Sequence, residues 1–365
     1  MRHSQNVTTA TPPRTSASGL LRRAAAALAH PLVPEDFRAV LDPLAGRDLR
    51  ARVVAVRPET ADAATIVLRP GRPLRPHRPG QYLRIGVDVD GVRQWRAYSI
   101  TSPPHAADGC VRITVKAIPE GTVSNHIVRA LLPGAIVRLD EPTGEFVLPE
   151  ALPAKVLFLT GGSGVTPVMG MLRSHRFADA VVLHSALTRD DVIFGAELRA
   201  LAADGHITLV ERHTDTSGLL DLAELDAIVP DWRERGTWAC GPAGLLAAAE
   251  SHWETAGRAD NLTVERFRPL VAPAEGDGGE VTFATTARTA TAEGATTLLD
   301  AGEAAGVLMP SGCRMGICRG CVLPLLSGSV RDLRTGDTTT AVPGDATTYV
   351  QTCVSAAAGP CELGV

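Results

Sequence analysis

The sequence predicts a multidomain chain: an antiparallel β-barrel, then an α/β domain on a parallel sheet, then a small cysteine-bearing domain. Three observations predict it. Short alternating or apolar runs broken by Pro and Gly fill residues 48–150. From Lys155 the texture changes to strand-like runs alternating with helical ones. Near the C-terminus, Cys313, Cys318, Cys321 and Cys353 form a C-x4-C-x2-C group with a distant fourth member. At 365 residues the chain has room for about two to four domains.

Residues 1–47 read as an extension. The first part is Thr/Ser/Pro-rich and expected to be disordered, and two short helical stretches between Leu20 and Leu44 are broken by Pro31, Pro34 and Pro43. The barrel, 48–150, carries strand runs at Arg52–Val56, Thr65–Leu68, Tyr82–Val89, Val111–Lys116 and Ile136–Leu139. The α/β domain, 151–270, carries parallel-strand runs at Val156–Thr160, Val181–Ser185, Ile207–Arg212 and Thr237–Cys240. A linker is expected at 271–279 by its Gly, Ala and Pro content, and the last domain at 280–365.

The cysteine spacing suits a 2Fe-2S cluster. Three thiolates on one loop can wrap a small cluster only if the backbone curls tightly, and Gly316 and Gly320 permit that curl. Cys353 closes the cage from a separate element. A structural zinc site is the competing reading, but zinc frameworks pair two C-x2-C knuckles and only one such pair is present here. Cys361 fits the fourth position less well than Cys353 and reads as a spare thiol.

Composition narrows the function classes. At 45% hydrophobic and 21% charged the chain is ordinary globular material, and a formal net charge of −4 argues against nucleic acid as a partner. Seven cysteines with no signal-peptide pattern point to the reducing cytoplasm. No apolar run approaches the roughly 18–20 residues of a membrane span.

Four motifs upstream bear on flavin and nucleotide chemistry. A flavin site needs a cation for phosphates, an aromatic face for the ring and a hydrogen-bond partner for its reactive nitrogen. Arg96, Tyr98 and Ser99 supply these at the end of a strand. Gly121, Val123 and Ser124 open a helix after the Val111–Lys116 strand, so backbone N–H groups and the Ser124 hydroxyl can hold a pyrophosphate. Farther on, Thr160-Gly161-Gly162-Ser163-Gly164-Val165-Thr166-Pro167 joins a strand to a helix, where glycines admit a second pyrophosphate. Cys240-Gly241-Pro242 follows the last parallel strand. Alone it reads as a turn beside a buried thiol, which makes Cys240 a positioning group rather than a nucleophile.

Together, Arg-x-Tyr-Ser, Gly-x-x-Ser and Glu141-Pro-Thr-Gly-Glu-Phe146 resemble the flavin domain of the ferredoxin–NADP reductase superfamily, and the Gly-rich and Cys-Gly-Pro motifs resemble its nicotinamide domain. The resemblance covers nearly everything from Arg50. It implies a FAD-binding barrel, an NAD(P)-binding α/β domain and a C-terminal β-grasp domain of the plant ferredoxin type. Its order implies an oxidoreductase relay from nicotinamide through flavin to cluster. The Ser124 element favours FAD over FMN, although some relatives with a C-terminal ferredoxin domain use FMN. Ser185, Arg189 and Arg212 match positions where relatives select NADPH over NADH. Thr166 and Cys240 are expected around the nicotinamide. Glu265 and Phe267, in a segment resembling the family's closing strand, are expected near nicotinamide and flavin respectively, or simply in edge packing.

The relay needs an acceptor, and no constellation for a small organic substrate is visible, so the expected acceptor is a protein. His30 to Phe37 and Leu41 to Leu44 resemble the extension of bacterial reductases that serve a membrane stearoyl-CoA Δ9 desaturase. A Rieske-type or haem hydroxylase is the alternative acceptor, and a cluster-bearing sensor or dehydrogenase subunit the alternative class. The chain is expected to be a monomer that meets the membrane only through its partner.

Overall fold

The computed structural model describes residues 48–267 and 278–365, apart from 90, 120, 313, 315, 317, 318, 345 and 346. The extension, most of the expected linker, Cys313 and Cys318 lie outside the described residues.

The first sheet is antiparallel, with strands β1 (Arg50–Thr60), β2 (Ala63–Pro70), β3 (Tyr82–Val89), β4 (Val92–Ser99), β5 (Val111–Lys116) and β6 (Ile136–Leu139). Their order is β4-β3-β6-β1-β2-β5. Just past β4, Ile100 bridges to Ile113 of β5, which brings the two edges together and curls the sheet into a barrel. Inward positions of the strands are apolar: Ile66, Leu83, Ile85 and Ile113 are all fully buried. Each such side chain contributes about 1.5–3 kcal/mol of transfer free energy. Helix α1 (Thr122–Arg129) turns Val123 and Ile127 into the same core.

The second sheet is parallel throughout: β7 (Lys155–Gly161), β8 (Asp179–Ala186), β9 (Thr208–His213), β10 (Gly236–Cys240) and β11 (Leu262–Glu265). Helices α2 (Val165–Ser174), α3 (Gly195–Ala203) and α4 (Ala243–Thr255) are its longest crossovers. The strand order β11-β10-β7-β8-β9 reverses direction at β7. A crevice therefore opens between the carboxyl ends of β7 and β10, which is where such sheets bind ligands. The closing strand stops at Glu265, so Arg266 and Phe267 follow the strand rather than belong to it.

The third sheet holds β12 (Gly279–Phe283), β13 (Arg288–Ala292), β14 (Val322–Asp332), β15 (Thr338–Ala341), β16 (Thr348–Gln351) and β17 (Ser355–Leu363), with helix α5 (Leu298–Ala304) packed on it. β12 and β17 run parallel and the other pairings are antiparallel, the mixed pattern of a β-grasp sheet. β12 begins at Gly279, the last residue of the expected linker. Its apolar core draws only on residues from Val281 onward, and the barrel and α/β cores contain none of them. Among the described residues no helix is long and apolar enough to cross a membrane.

Candidate active site and cluster cage

The crevice at the sheet reversal is built almost entirely by glycine. β7 runs into Gly161, a short 3-10 turn covers Gly162–Gly164, and α2 starts at Val165. Gly162 has φ of +54°, in the left-handed region. A Cβ on Gly164 would lie 1.9 Å from the Cys240 carbonyl oxygen, and one on Gly161 would lie 2.7 Å from the Pro242 ring. The structure thus brings Gly161, Gly164, Cys240, Gly241 and Pro242 together across the reversal point. Thr166 sits in the first turn of α2, where its hydroxyl donates to the Ser163 carbonyl at 2.9 Å.

Cys240 and Glu265 are opposite each other on β10 and β11. Complete burial pushes the Cys240 thiol well up, with the Glu265 charge a second cause. Burial likewise raises Glu265 to about 8. At neutral pH both keep their protons, so this corner of the α/β domain presents donors rather than anions. The Glu265 Oε2 atom is buried without a hydrogen-bond partner. Phe267 is half-buried and packs on the core that contains Phe158, Val168 and Cys240.

The raised carboxyl has a measurable consequence. The unfolded chain gives up this proton near pH 4.5, whereas the folded chain keeps it to about 8. Stability therefore falls as pH rises through that window, by on the order of a few kcal/mol, and levels off above it. Glu265→Gln is expected to flatten this slope, so that the variant melts above the parent at pH 8.5 and the two converge at pH 4.5. Parallel melting curves against pH would refute the buried, protonated carboxyl.

On the barrel, β4 places Arg96 and Tyr98 on one face by its two-residue period, with Ser99 on the other at the strand's end. Burial raises the Tyr98 phenol and lowers Arg96 to about 10, the latter assisted by the nearby Arg314 guanidinium of the third domain. Ser99 is 3% exposed and its Oγ has no hydrogen-bond partner. A buried hydroxyl without a partner is costly unless a ligand supplies one.

α1 is capped by Gly121 with no side-chain cap and no acidic residue in its first turn, which leaves its positive end available to an anion. The Ser124 hydroxyl is not available to it. It donates to the Gly121 carbonyl at 3.0 Å and accepts the Ile118 N–H at 3.2 Å, closing the turn itself. Backbone N–H groups at Thr122 and Val123 remain as the donors of this loop.

Beyond the crevice, Ser185 pairs in register with Gly161 on one side and Arg212 on the other. Arg189 is exposed at the start of a 3-10 turn, and no hydrogen bond or ion pair of its guanidinium is seen among the described residues. Asp191 is engaged in capping that turn through Thr188, at 2.7 Å. Arg212 is engaged too: it donates to Ser217 and Gly218 carbonyls at 2.7 and 3.2 Å and to Glu224 at 2.7 Å. Its guanidinium ties down the segment after β9 rather than facing a ligand.

In the third domain, Cys321 and Cys353 are 1% and 4% exposed with sulfurs 3.1 Å apart. That is too far for a disulfide, about 2.05 Å, and suits two donors converging on one small group. Thr352 fixes the pair, since its N–H and its hydroxyl both donate to the Cys321 carbonyl, at 3.1 and 2.9 Å. Sequence reasoning missed the braces of the loop. Arg334 and Gln351 both donate to the Gly316 carbonyl, at 3.2 and 3.1 Å, and Gly316 itself has φ of +74°. Arg314 pairs with Asp300 and Glu303 near α5. Nothing local signals these contacts, because every partner lies at least 11 residues away. Cys361 is a buried thiol on β17, raised by burial to about 11, and faces Val281 and Gly328 in the sheet core.

Two family models match the chain: an oxidoreductase FAD-binding domain over residues 59–148 and a 2Fe-2S iron–sulfur cluster binding domain over 281–358. An NADPH oxidoreductase from Mycobacterium tuberculosis is 50% identical over 356 residues, which cover 94% of this chain and 92% of the relative. The chain belongs to the ferredoxin-reductase type of flavin and iron–sulfur oxidoreductases. This reductase is also 32% identical, over 75% of its length and 83% of the relative, to the glycine betaine monooxygenase reductase subunit of Pseudomonas aeruginosa. Its fold matches phthalate dioxygenase reductase with a TM-score of 0.62, at 21% identity, over 87% of this chain and 98% of that one.

The residues present fit these groups. The unpartnered Ser99 hydroxyl, the uncapped start of α1, the glycine-lined crevice and the converging sulfurs are features that a flavin, a dinucleotide and a cluster would each complete.

Proposed function

We propose that the reductase draws electrons from NADPH, routes them through FAD to its 2Fe-2S cluster, and delivers them to a membrane stearoyl/acyl-CoA Δ9 desaturase. The observation that carries the relay is the crevice where Gly164 meets Cys240, on the same chain as the paired sulfurs of Cys321 and Cys353.

Each residue has a defined task in this reading. Gly161, Gly162 and Gly164 keep the crevice open to the nucleotide pyrophosphate, and the α2 N-terminus opposes its charge. Thr166 and Cys240 shape the nicotinamide pocket without covalent bonding to it. Glu265 holds its proton and offers a donor at the crevice edge. Ser99 offers its hydroxyl to the reactive edge of the flavin, Tyr98 covers the ring face, and Arg96 with the Gly121–Val123 backbone neutralises phosphate. Bound FAD takes two electrons at once and releases them singly, which matches a one-electron cluster. Cys313, Cys318, Cys321 and Cys353 are the cluster ligands. The buried, converging sulfurs of Cys321 and Cys353 would hold the cluster from two separate segments. A plant-type cluster at about −400 mV is reducing enough to drive oxygen activation.

NADPH rather than NADH is favoured by Arg189, which is exposed, lies three residues past β8 and has no competing partner among the described residues. The 50% identical mycobacterial relative is named an NADPH oxidoreductase. Arg189→Ala is expected to raise KM for NADPH by about tenfold or more while leaving KM for NADH within about twofold, one lost charge-assisted contact being worth about 1.5–3 kcal/mol. Equal changes for both nucleotides would remove Arg189 from the 2′-phosphate site. Arg212 is not part of that site, given its three hydrogen bonds elsewhere.

The desaturase is favoured by the motifs of the N-terminal extension, and the reductase would act as a monomer that reaches the inner membrane face through that partner. A soluble monooxygenase is the second reading, supported by the 32% identical reductase subunit of glycine betaine monooxygenase. Reconstitution decides between them. Vesicles holding an acyl-CoA Δ9 desaturase, given the reductase, NADPH and stearoyl-CoA, are expected to form oleoyl-CoA in proportion to NADPH consumed. NADPH oxidation without desaturation, alongside productive coupling to a Rieske-type oxygenase, would move the assignment to the second reading.

A further inference from the structure

A cavity of about 570 Å³ lies between the barrel and the α/β domain, away from the crevice. From the barrel it is lined by Arg57, Glu59 and Thr65 of β1 and β2, by Ser102 and by Arg112 of β5. From the α/β side it is lined by the last residues of α2 with His175 and Arg176, and by Glu197 and Leu201 of α3. α2 has 10 residues, so the cavity sits about 15 Å along the helix from the glycine loop at its other end.

The wall charge is unbalanced. Four arginines face two glutamates, and with the Asp108 that pairs with Arg112 included the net is +1 before His175 is counted. Two of the arginines are already engaged. Arg173 donates to Glu197 at 2.8 Å and across the domain boundary to the Thr101 carbonyl at 2.7 Å, and Arg112 pairs with Asp108. Glu59 accepts the Thr65 hydroxyl at 2.6 Å. Arg57 and Arg176 have no carboxylate partner among the described residues, and they approach the cavity from opposite domains. Part of this charge offsets the negative end of α2, but a helix end amounts to only about half a unit charge. The surplus remains.

We propose that this cleft is a second anion site, which binds the phosphate dianion of a small phosphate ester and clamps the flavin barrel to the nicotinamide domain. The two guanidiniums without a carboxylate partner, Arg57 and Arg176, match the two charges of a dianion. Guanidinium forks suit phosphate oxygens, with Arg57 supplied by one domain and Arg176 by the other. The volume exceeds what one phosphate fills, leaving room for a polyol or sugar beside the half-buried Arg173 and the Leu172 wall. A ligand held here restrains the helix that carries Thr166 at its far end, so the site touches the nucleotide pocket only through α2.

The test is thermal unfolding of the holoenzyme with saturating 2′,5′-ADP, which fills the nucleotide site. Inorganic phosphate and ribose 5-phosphate are each compared with sodium chloride at equal ionic strength. At about ten times its dissociation constant, either probe is expected to raise the melting temperature by about 3 °C in the parent. The same rise is expected in Arg189→Ala, and none in Arg57→Ala/Arg176→Ala. Both altered residues are at the domain surfaces, and a parent-like melting temperature in chloride verifies that the double variant folds. Calorimetric titration of the same proteins should show heat with the parent only. A larger shift with ribose 5-phosphate identifies the ester as the ligand, an equal one free phosphate. No shift beyond chloride, or a shift retained by the double variant, would overturn the proposal.

Discussion

Cys353→Ser is expected to lower cytochrome c reduction by about a hundredfold or more, with ferricyanide reduction by NADPH kept within about twofold of the parent. The reasoning is structural. Cys353 is buried beside Cys321, their sulfurs 3.1 Å apart, and in the proposed relay its sulfur closes the cluster cage from a separate segment. A serine hydroxyl is a far poorer ligand for iron than a thiolate. The damage stays local, because the core of the third domain shares no buried residue with the barrel or α/β cores. Ferricyanide, a small one-electron acceptor, takes electrons upstream of the cluster, whereas cytochrome c needs the cluster as exit. Equal loss of both activities would mean that the cluster is not the last station.

Ser99→Ala should slow flavin reduction by NADPH by about a hundredfold and change KM little. A preorganised hydrogen bond aimed at a reacting edge is commonly worth that much. The parent keeps the Ser99 hydroxyl buried without any protein partner, a cost the fold bears only if a bound group uses it. The same substitution removes a buried unsatisfied group, so the flavin-free protein should melt no lower than the parent. Loss of stability without loss of rate would mark Ser99 as a packing residue.

The parts of the fold legible in the sequence were those written in consecutive residues. β3, β5 and β6 matched their expected bounds, because short apolar or alternating runs flanked by Gly or Pro are local signals. The Thr160–Pro167 loop was readable for the same reason, since strand, glycines and helix start follow one another directly. The topology adds a cause for it: the loop lies at the reversal between β7 and β10, a non-local fact that only strand order shows.

Side-chain engagement was not legible. Ser124 and Arg212 matched family positions, yet one closes its own turn and the other holds carbonyls at Ser217 and Gly218. Which partner a hydroxyl or guanidinium takes depends on loop geometry that spacing does not encode. The same holds for Arg334 and Gln351, which meet at the Gly316 carbonyl from two different elements. The arginine-lined cleft is the extreme case, assembled from segments more than a hundred residues apart.

The relay order is tested most directly by anaerobic rapid mixing of the reductase with NADPH, following flavin absorbance and the paramagnetic signal of the reduced cluster together. Flavin bleaching should come first and the cluster signal should follow it. In Ser99→Ala both should be delayed together, and in Cys353→Ser the bleaching should persist with no cluster signal after it. A cluster signal that rises before flavin bleaching, or at an unchanged rate when bleaching is slowed, would contradict the account.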